Sequence, residues 1–159
     1  MPRITPNLWF DEDGLEAAKF YVSVFPNSRV AEVTHYPEDS PQSGAVLTVN
    51  FELDGQEYTA LNSGPQFTFD EAISLLVNCA DQEEIDYYWD ALTADGGEES
   101  MCGWLKDKFG LSWQICPVGW EKLLVEGEPA AVQRAMEAMY KMKKLDMAEL
   151  QAAYDGEGS

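Results

Sequence analysis

The sequence has 159 residues, of which 45% are hydrophobic and 12% aromatic, and this is enough apolar material to bury a full core. Its formal net charge is −19, with 10 basic and 29 acidic residues, so too few cations are present to neutralise the phosphates of nucleic acids or acidic membranes. No stretch has the length and apolarity of a transmembrane helix, and the N-terminus lacks the apolar region of a signal peptide. We therefore expect a cytoplasmic protein with no nucleic-acid partner and no membrane partner.

Three cysteines, Cys79, Cys102 and Cys116, occur in the sequence, and no two of them form a Cys-x-x-Cys pair. An odd number of cysteines without such a spacing is typical of buried thiols in a reducing compartment. We therefore expect neither a disulfide nor a redox role for these residues.

The chain up to Pro65 has the pattern of one strand, one helix and three further strands. Ile4–Phe10 is a short apolar strand, in which Pro6 favours an edge position or the strand start because proline cannot donate to a ladder. Asp54-Gly55 is a strong signal for a hairpin turn between two strand-like runs. The helix and the three later strands are predicted at 15–25, 29–36, 45–53 and 56–62.

The second half of the chain repeats this order. A strand is predicted at 72–78, and Asp81 with Glu84 forms a capping box that begins a helix reaching about Thr93. A short strand near 98–101 and a final hairpin complete the block. Because both halves follow the order β-α-β-β-β, offset by roughly 65–70 residues, the sequence indicates an internal duplication.

The final hairpin, from Cys102 to Pro117, is the stretch most informative about function. Its strands, at 103–106 and 111–116, are joined by a turn that Asp107 and Gly110 favour. Because side chains alternate along a strand, the second strand has an apolar and a polar face. The apolar face carries Leu111, Trp113 and Ile115, and the polar face carries Ser112, Gln114 and Cys116. We expect the apolar face to lie under a helix and the polar face to hold any site.

The chain after Trp120 has helical patterns. Glu128-Pro129 is typical of a helix start, and Asp146 with Glu149 forms a capping box for a last helix that Gly156 ends. The apolar face between these signals carries Val132, Ala135, Met136, Met139 and Met142. We expect this face to pack on the sheet or on the partner of a dimer.

These patterns together predict an α+β fold with one domain over 1–118, followed by a C-terminal helical extension over 119–159. The domain contains two modules, at about 3–65 and 70–118. The extension is expected to pack on the domain or on a dimer partner.

Several common kinds of catalytic centre have no pattern in the sequence. His35 is the only histidine, so one chain cannot form a site with several histidines, and the 29 acidic residues show no spacing that converges on a hard cation. There is no Gly-x-Ser-x-Gly elbow, no phosphate-binding Gly-rich loop and no dinucleotide fingerprint. Cys102 and Cys116 have no nearby histidine to activate a thiolate, so we interpret them as structural.

Segments along most of the chain resemble one known family. They are Leu8-Trp9-Phe10, Phe20-Tyr21 with Phe25-Pro26-Asn27-Ser28, Ala60-Leu61-Asn62-Ser63-Gly64-Pro65, Cys102 to Asp107 and on through Gln114, and Met139–Lys144. Together with the duplication, they are similar to the vicinal oxygen chelate superfamily of glyoxalases, bleomycin resistance proteins and extradiol dioxygenases. More narrowly, the chain resembles the PhnB-like branch, labelled 3-demethylubiquinone-9 3-methyltransferase. The resemblance covers residues 3–155.

The resemblance implies two modules whose curled mixed sheets surround a shared concave cavity, usually in a homodimer. In metal-using members, one ligand comes from the first strand and one from the last strand of each module. Here those positions are Thr5 or Asn7 and Thr59 in the first module, and Ala72 or Ser74 and Gln114 in the second. None is His, Asp or Glu, which are the side chains that bind divalent ions with useful affinity. We therefore expect no metal and no other cofactor.

The cavity implied by the resemblance would present neutral polar and aromatic groups. The candidate ligand-binding residues are Asn7, Trp9, Thr59, Asn62, Ser74, Trp104 and Gln114. We expect a metal-independent small-molecule-binding protein that forms a homodimer and whose ligand is unknown.

Two alternatives stay open. The first is an enzyme of the lyase, isomerase or transferase type, with catalysis by groups such as Asp107, Tyr58 or Cys116, or by a metal bound away from the family positions. The second is a protein that acts only through contacts of its acidic surface and methionine-bearing tail. Methyl transfer, as in the family label, is not expected, because the sequence lacks the Gly-rich loop and the acidic residue of a typical methyl-donor site.

Overall fold

Two four-stranded sheets, one in each half of the chain, form the framework of the fold. The computed structural model describes residues 3–157, and the chain divides into two units, of which the first ends at Phe69 and the second begins at Asp70. The helices after residue 118 belong to the second unit. Within residues 3–157, no helix combines the length and the apolarity needed to cross a membrane.

The first unit contains one helix and four strands. They are β1 (Asn7–Phe10), α1 (Gly14–Val24), β2 (Arg29–His35), β3 (Val46–Leu53) and β4 (Gln56–Asn62). The strand order is β1-β4-β3-β2, with β1 parallel to β4 and the other neighbours antiparallel. β1 is an edge strand that begins directly after Pro6, so the predicted strand is shortened at the end where proline lacks a donor.

The turn between β3 and β4 confirms the hairpin prediction. Asp54 and Gly55 have φ angles of 48° and 85°. Two central residues with positive φ are the signature of the tight turn whose twist matches that of the flanking strands. The turn therefore fixes the register in which Leu53 faces Gln56.

The second unit repeats the strand and helix order of the first and adds three helices. Its elements are β5 (Ser74–Cys79), α2 (Gln82–Thr93), β6 (Glu98–Glu99), β7 (Trp104–Lys106), β8 (Ser112–Pro117), α3 (Trp120–Glu126), α4 (Pro129–Met139) and α5 (Met147–Asp155). A 3₁₀ turn at Ala94–Gly96 follows α2. The strand order is β5-β8-β7-β6, with β5 parallel to β8, which matches the order of the first sheet strand by strand. The predicted α+β duplication is therefore confirmed.

The predicted helix starts are present as side-chain caps. The Asp81 carboxylate accepts a hydrogen bond from the Glu84 backbone N–H at 2.9 Å, and the Asp146 carboxylate accepts one from the Glu149 N–H at 3.0 Å. Glu128, before Pro129, accepts from two backbone N–H groups of the first turn of α4. These caps satisfy donors that a helix leaves unpaired at its start, so the helix boundaries could be read locally.

Helix α3 lies in the extension that the sequence predicted to be helical, but its bounds were not predicted. It is only seven residues long, none of its residues is buried, and it starts after Gly119 without a side-chain cap. A helix this short gains little from its own hydrogen bonds and depends on packing. That packing comes from Trp120, which lies against Cys116, Leu145 and Leu150.

The register of the second sheet separates the two predicted faces of β8, although on the polar face only Gln114 is partly exposed, since Ser112 and Cys116 are buried. Trp113 and Ile115 are buried, and α2 packs against β8 and β7 on that side of the sheet. The opposite face of the second sheet carries Ser74, Leu76, Trp104 and Gln114, and we call it the site face.

Asp107 organises the turn that joins β7 to β8. It is buried, and one carboxylate oxygen accepts from the backbone N–H groups of Phe109 and Leu111 at 2.8 and 3.1 Å. The other oxygen accepts from the Trp113 indole N–H at 2.8 Å. The carboxylate therefore links the turn to a core side chain, a structural role that the turn signal alone did not reveal.

We expect Asp107→Ala to destabilise the protein by about 3 kcal/mol, because it leaves three donors, two of them buried, without their acceptor. The free energy of unfolding, measured with urea, tests this. Asp39→Ala is the matched control, since Asp39 is exposed in the loop before β3, and it should change the stability by less than about 0.5 kcal/mol. Equal effects of the two substitutions would contradict the role assigned to Asp107.

Candidate functional site

Gln114 lies at the centre of the site face. The sheet register pairs it with Leu76 on β5 and with Trp104 on β7. Its amide nitrogen donates to the Ser74 hydroxyl at 2.9 Å, and the residue is half-buried. The structure thus brings together three predicted site residues, Ser74, Trp104 and Gln114, on adjacent strands.

A cavity of about 460 Å³ lies over this part of the site face. From the sheet side it is lined by Leu76, Asn78, Trp104, Gln114 and Cys116, and from the helical side by Trp120, Lys122, Leu124 and Met139, among others. Its volume falls within the range of roughly 300–1,000 Å³ that is typical of small-molecule sites, and its lining is apolar and aromatic with a few polar groups.

The helical side of this cavity was missed by the sequence analysis. α3 and Met139 supply it, whereas the apolar pattern of the tail indicated only a packing surface. The available signal was Trp120 followed by Leu123 and Leu124, a spacing of three and four residues that indicates one helical face.

In the first unit, Asn7 and Thr59 lie side by side, because the parallel register of β1 and β4 pairs them. The Thr59 hydroxyl donates to the Asn50 side-chain oxygen at 2.9 Å. Thr59 and Asn50 line a second cavity, of about 480 Å³, which Asn7 and Trp9 do not line. Trp9 instead donates its indole N–H to the Gly64 carbonyl at 2.9 Å.

Asn62 is placed differently from the prediction. It is buried, at 6% exposure, and follows Ala60 on the face of β4 that packs against α1. Its side-chain oxygen accepts from the Gly14 N–H at 2.8 Å, and its amide nitrogen donates to the carbonyls of Glu12 and Val46. Asn62 therefore anchors the start of α1 to the sheet and does not lie with Asn7 and Thr59.

The residues at the four family metal positions do not fit a divalent ion. Thr59 and Gln114 use polar atoms in hydrogen bonds to Asn50 and Ser74, and Ala72 precedes the first residue of β5. Tight binding of such an ion requires carboxylate, imidazole or thiolate groups among its ligands. Within residues 3–157, no group of three or more His, Cys, Asp or Glu side chains is arranged to hold a metal.

The candidate acid–base groups are not set up for proton transfer. Burial raises the pKa of Cys116 to about 11, with a further contribution from Glu121, so its thiol is protonated near neutral pH. Burial also raises the pKa of Tyr58, whose ring stacks on Phe51 with centroids 5.4 Å apart. The Asp107 carboxylate accepts hydrogen bonds from its own turn and from Trp113.

The comparisons with known proteins point to one family. The family model described as 3-demethylubiquinone-9 3-methyltransferase matches residues 2–116, which is more than half of the chain. The structure is similar to that of the PhnB protein of Bacillus cereus, with 35% identity and a TM-score of 0.68 over 74% of this chain and 100% of that one. A protein from Pseudomonas aeruginosa shares the fold, with 19% identity and a TM-score of 0.61 over 74% and 98%. No curated protein matches the sequence.

We expect Asn62→Ala to destabilise the protein by about 3 kcal/mol, because the buried Gly14 N–H and two carbonyls lose their partner. Asn50→Ala is the matched control, since Asn50 is half-buried and accepts only from Thr59. It should cost less than about 1 kcal/mol in urea unfolding. A larger loss for Asn50→Ala would refute the anchoring role of Asn62.

Alkylation of Cys116 by iodoacetamide should be slow at pH 7 and should rise about tenfold per pH unit up to pH 10. The reason is that its raised pKa, about 11, leaves the thiolate a minor species over that range. Peptide mass spectrometry gives the rate at this residue. The unfolded protein is the control, and its rate should level off above pH 9, because an ordinary thiol has a pKa of about 8.5. Levelling near pH 9 in the folded protein would show that the pKa is not raised.

Proposed function

The chain belongs to the PhnB-like family described as 3-demethylubiquinone-9 3-methyltransferase, and we propose that it is a member of the glyoxalase/bleomycin resistance superfamily that binds a small molecule in the cavity over the site face. The observation that carries this proposal is the cavity of about 460 Å³ itself. It places the amides of Asn78 and Gln114 among aromatic and aliphatic side chains, a combination suited to orienting a small ligand.

The proposed binding is independent of a metal. The support is the donor set: at the site face, Gln114 and Ser74 offer an amide and a hydroxyl, which hydrogen-bond to each other. Neutral groups of this kind can orient a ligand through directional hydrogen bonds, but they cannot hold a divalent ion tightly. We also propose that the protein is a cytoplasmic homodimer, because the chain resembles a family whose members usually are dimers. A cavity shared by both modules stays a prediction.

An enzymatic role has less support from the arrangement of side chains. Asp107 and Tyr58 do not line the cavity over the site face. Cys116 lines it, but its raised pKa makes it a poor nucleophile at neutral pH. A lyase, isomerase or transferase activity would therefore need a general acid or base other than these three groups.

Two measurements on one sample of the protein, purified without a tag or a chelator, test the proposal. They are native mass spectrometry and metal analysis. We expect an added mass from a carried small molecule and no stoichiometric divalent metal. Leu76→Trp should remove the added mass, because Leu76 lines the cavity, is 42% exposed, and can be enlarged without disturbing the core.

The matched control is Val125→Trp, which enlarges an exposed side chain of α3 that does not line the cavity. This variant should keep the added mass. An added mass that survives Leu76→Trp would place the ligand elsewhere, and one tightly held divalent ion per chain would overturn the metal-independent reading.

A further inference from the structure

The five tryptophans differ in how their indole N–H groups are used. Three of them donate to protein acceptors: Trp9 to the Gly64 carbonyl at 2.9 Å, Trp89 to the Glu99 carboxylate at 2.7 Å, and Trp113 to the Asp107 carboxylate at 2.8 Å. Trp104 and Trp120 have no such acceptor among residues 3–157. Within residues 3–157, the Ser112 hydroxyl is the one buried side-chain N or O atom without a partner, so both indole N–H groups are open to solvent and available to a ligand.

Both free donors belong to residues that line the cavity over the site face. Trp104 is the first residue of β7 and is paired with Gln114, so the sheet fixes its position. Trp120 is the first residue of α3 and lies against Cys116, Leu145 and Leu150, so the helical cluster fixes its position. One indole thus comes from the sheet side and the other from the helical side, and both are held by packing.

The polar groups that the sheet places around these indoles are neutral. Asn78 and Gln114 contribute amides, and Cys116 contributes a thiol whose pKa of about 11 keeps it protonated. The charged lining residues are Glu121 and Lys122, and the Lys122 side chain is 75% exposed and lies 3.9 Å from Glu126. A charged ligand group would lose its hydration in this cavity without gaining a buried counter-charge.

We propose that the cavity takes a planar, uncharged aromatic molecule that carries a hydrogen-bond acceptor such as a carbonyl, held between Trp104 and Trp120. This inference rests on the proposed function and names the class of its ligand. A flat ring gains stacking contacts with both indoles, and its acceptor can pair with a free indole N–H. The amides of Asn78 and Gln114 add directional contacts at the ring edge.

Coumarin and octahydrocoumarin are suitable probes, because they share a bicyclic skeleton and a lactone carbonyl but only coumarin is planar and aromatic. We expect isothermal titration calorimetry to show that coumarin binds at least tenfold more tightly than octahydrocoumarin. Naphthalene, which is planar but has no acceptor, should also bind more weakly than coumarin.

Substitutions of the indoles make the test specific to the two residues. Trp104→Leu should weaken coumarin binding about tenfold, since removal of one stacking partner from a flat ligand typically has an effect of this order. Trp104→Phe should fall between wild type and Trp104→Leu, because it keeps a ring and loses the donor. Tyr87→Leu is the control, since Tyr87 on α2 is 50% exposed and does not line the cavity, and it should leave the affinity unchanged.

The outcomes separate this inference from the proposed function. Equal affinities for coumarin and octahydrocoumarin, both abolished by Leu76→Trp, would overturn the aromatic class while supporting a ligand site in the cavity. The same conclusion would follow if neither probe bound but the purified protein carried a mass that Leu76→Trp removed. Binding of both probes with equal affinity to wild type and to Leu76→Trp would overturn both proposals.

Discussion

The parallel pairing of β5 with β8 is the constraint on which the candidate site depends. It joins the first strand of the second sheet to its last strand, and its register sets Gln114 beside Leu76 and within reach of Ser74. Because strand side chains alternate, the same pairing buries Trp113 and Ile115 beneath α2. A shift of one residue would exchange these two sets and destroy the core and the site together. The apolar face therefore holds Gln114 in place.

The two modules share this topology but use their last strands differently. Gln114 in β8 and its counterpart Thr59 in β4 both face away from the helix, but β4 also carries Asn62, which faces α1 and binds its first N–H. The approach is so close that a Cβ atom on Gly14 would lie 2.6 Å from the Asn62 side-chain oxygen. Gly14 and Asn62 thus act together to hold the start of α1 against β4. Duplicated strands can diverge in this way because each module needs only its helix-facing pattern to fold.

Local signals predicted most of the fold. Some features depend only on residues that are close together in the chain, so the sequence predicts them directly. These are the Asp54-Gly55 turn, the Asp81 and Asp146 caps and the alternation in β8. Asn62 was misplaced because its partner, Gly14, lies 48 residues away, and a buried asparagine looks like a site residue until that partner is known. The bounds of α3 were not predicted because its position depends on packing of Trp120 against Leu145 and Leu150, not on its own propensity.

The chain is acidic, whereas the sheet side of the cavity is neutral, and this contrast affects which ligands the cavity can select. The net charge of −19 acts over the whole surface, so it opposes anionic molecules before they reach any particular site. At the site face, the Gln114 amide nitrogen and the Ser74 hydroxyl already pair with each other, which leaves few polar atoms to distinguish one ligand from another. Selection of a ligand must therefore depend on its shape and on a small number of hydrogen bonds.

Rigid side chains make such selection possible. A lining side chain that is fixed by a sheet or a packed cluster loses little conformational entropy when a ligand binds. Trp104, set by its register with Gln114, meets this condition, and so does Trp120, set by its contact with the helical cluster.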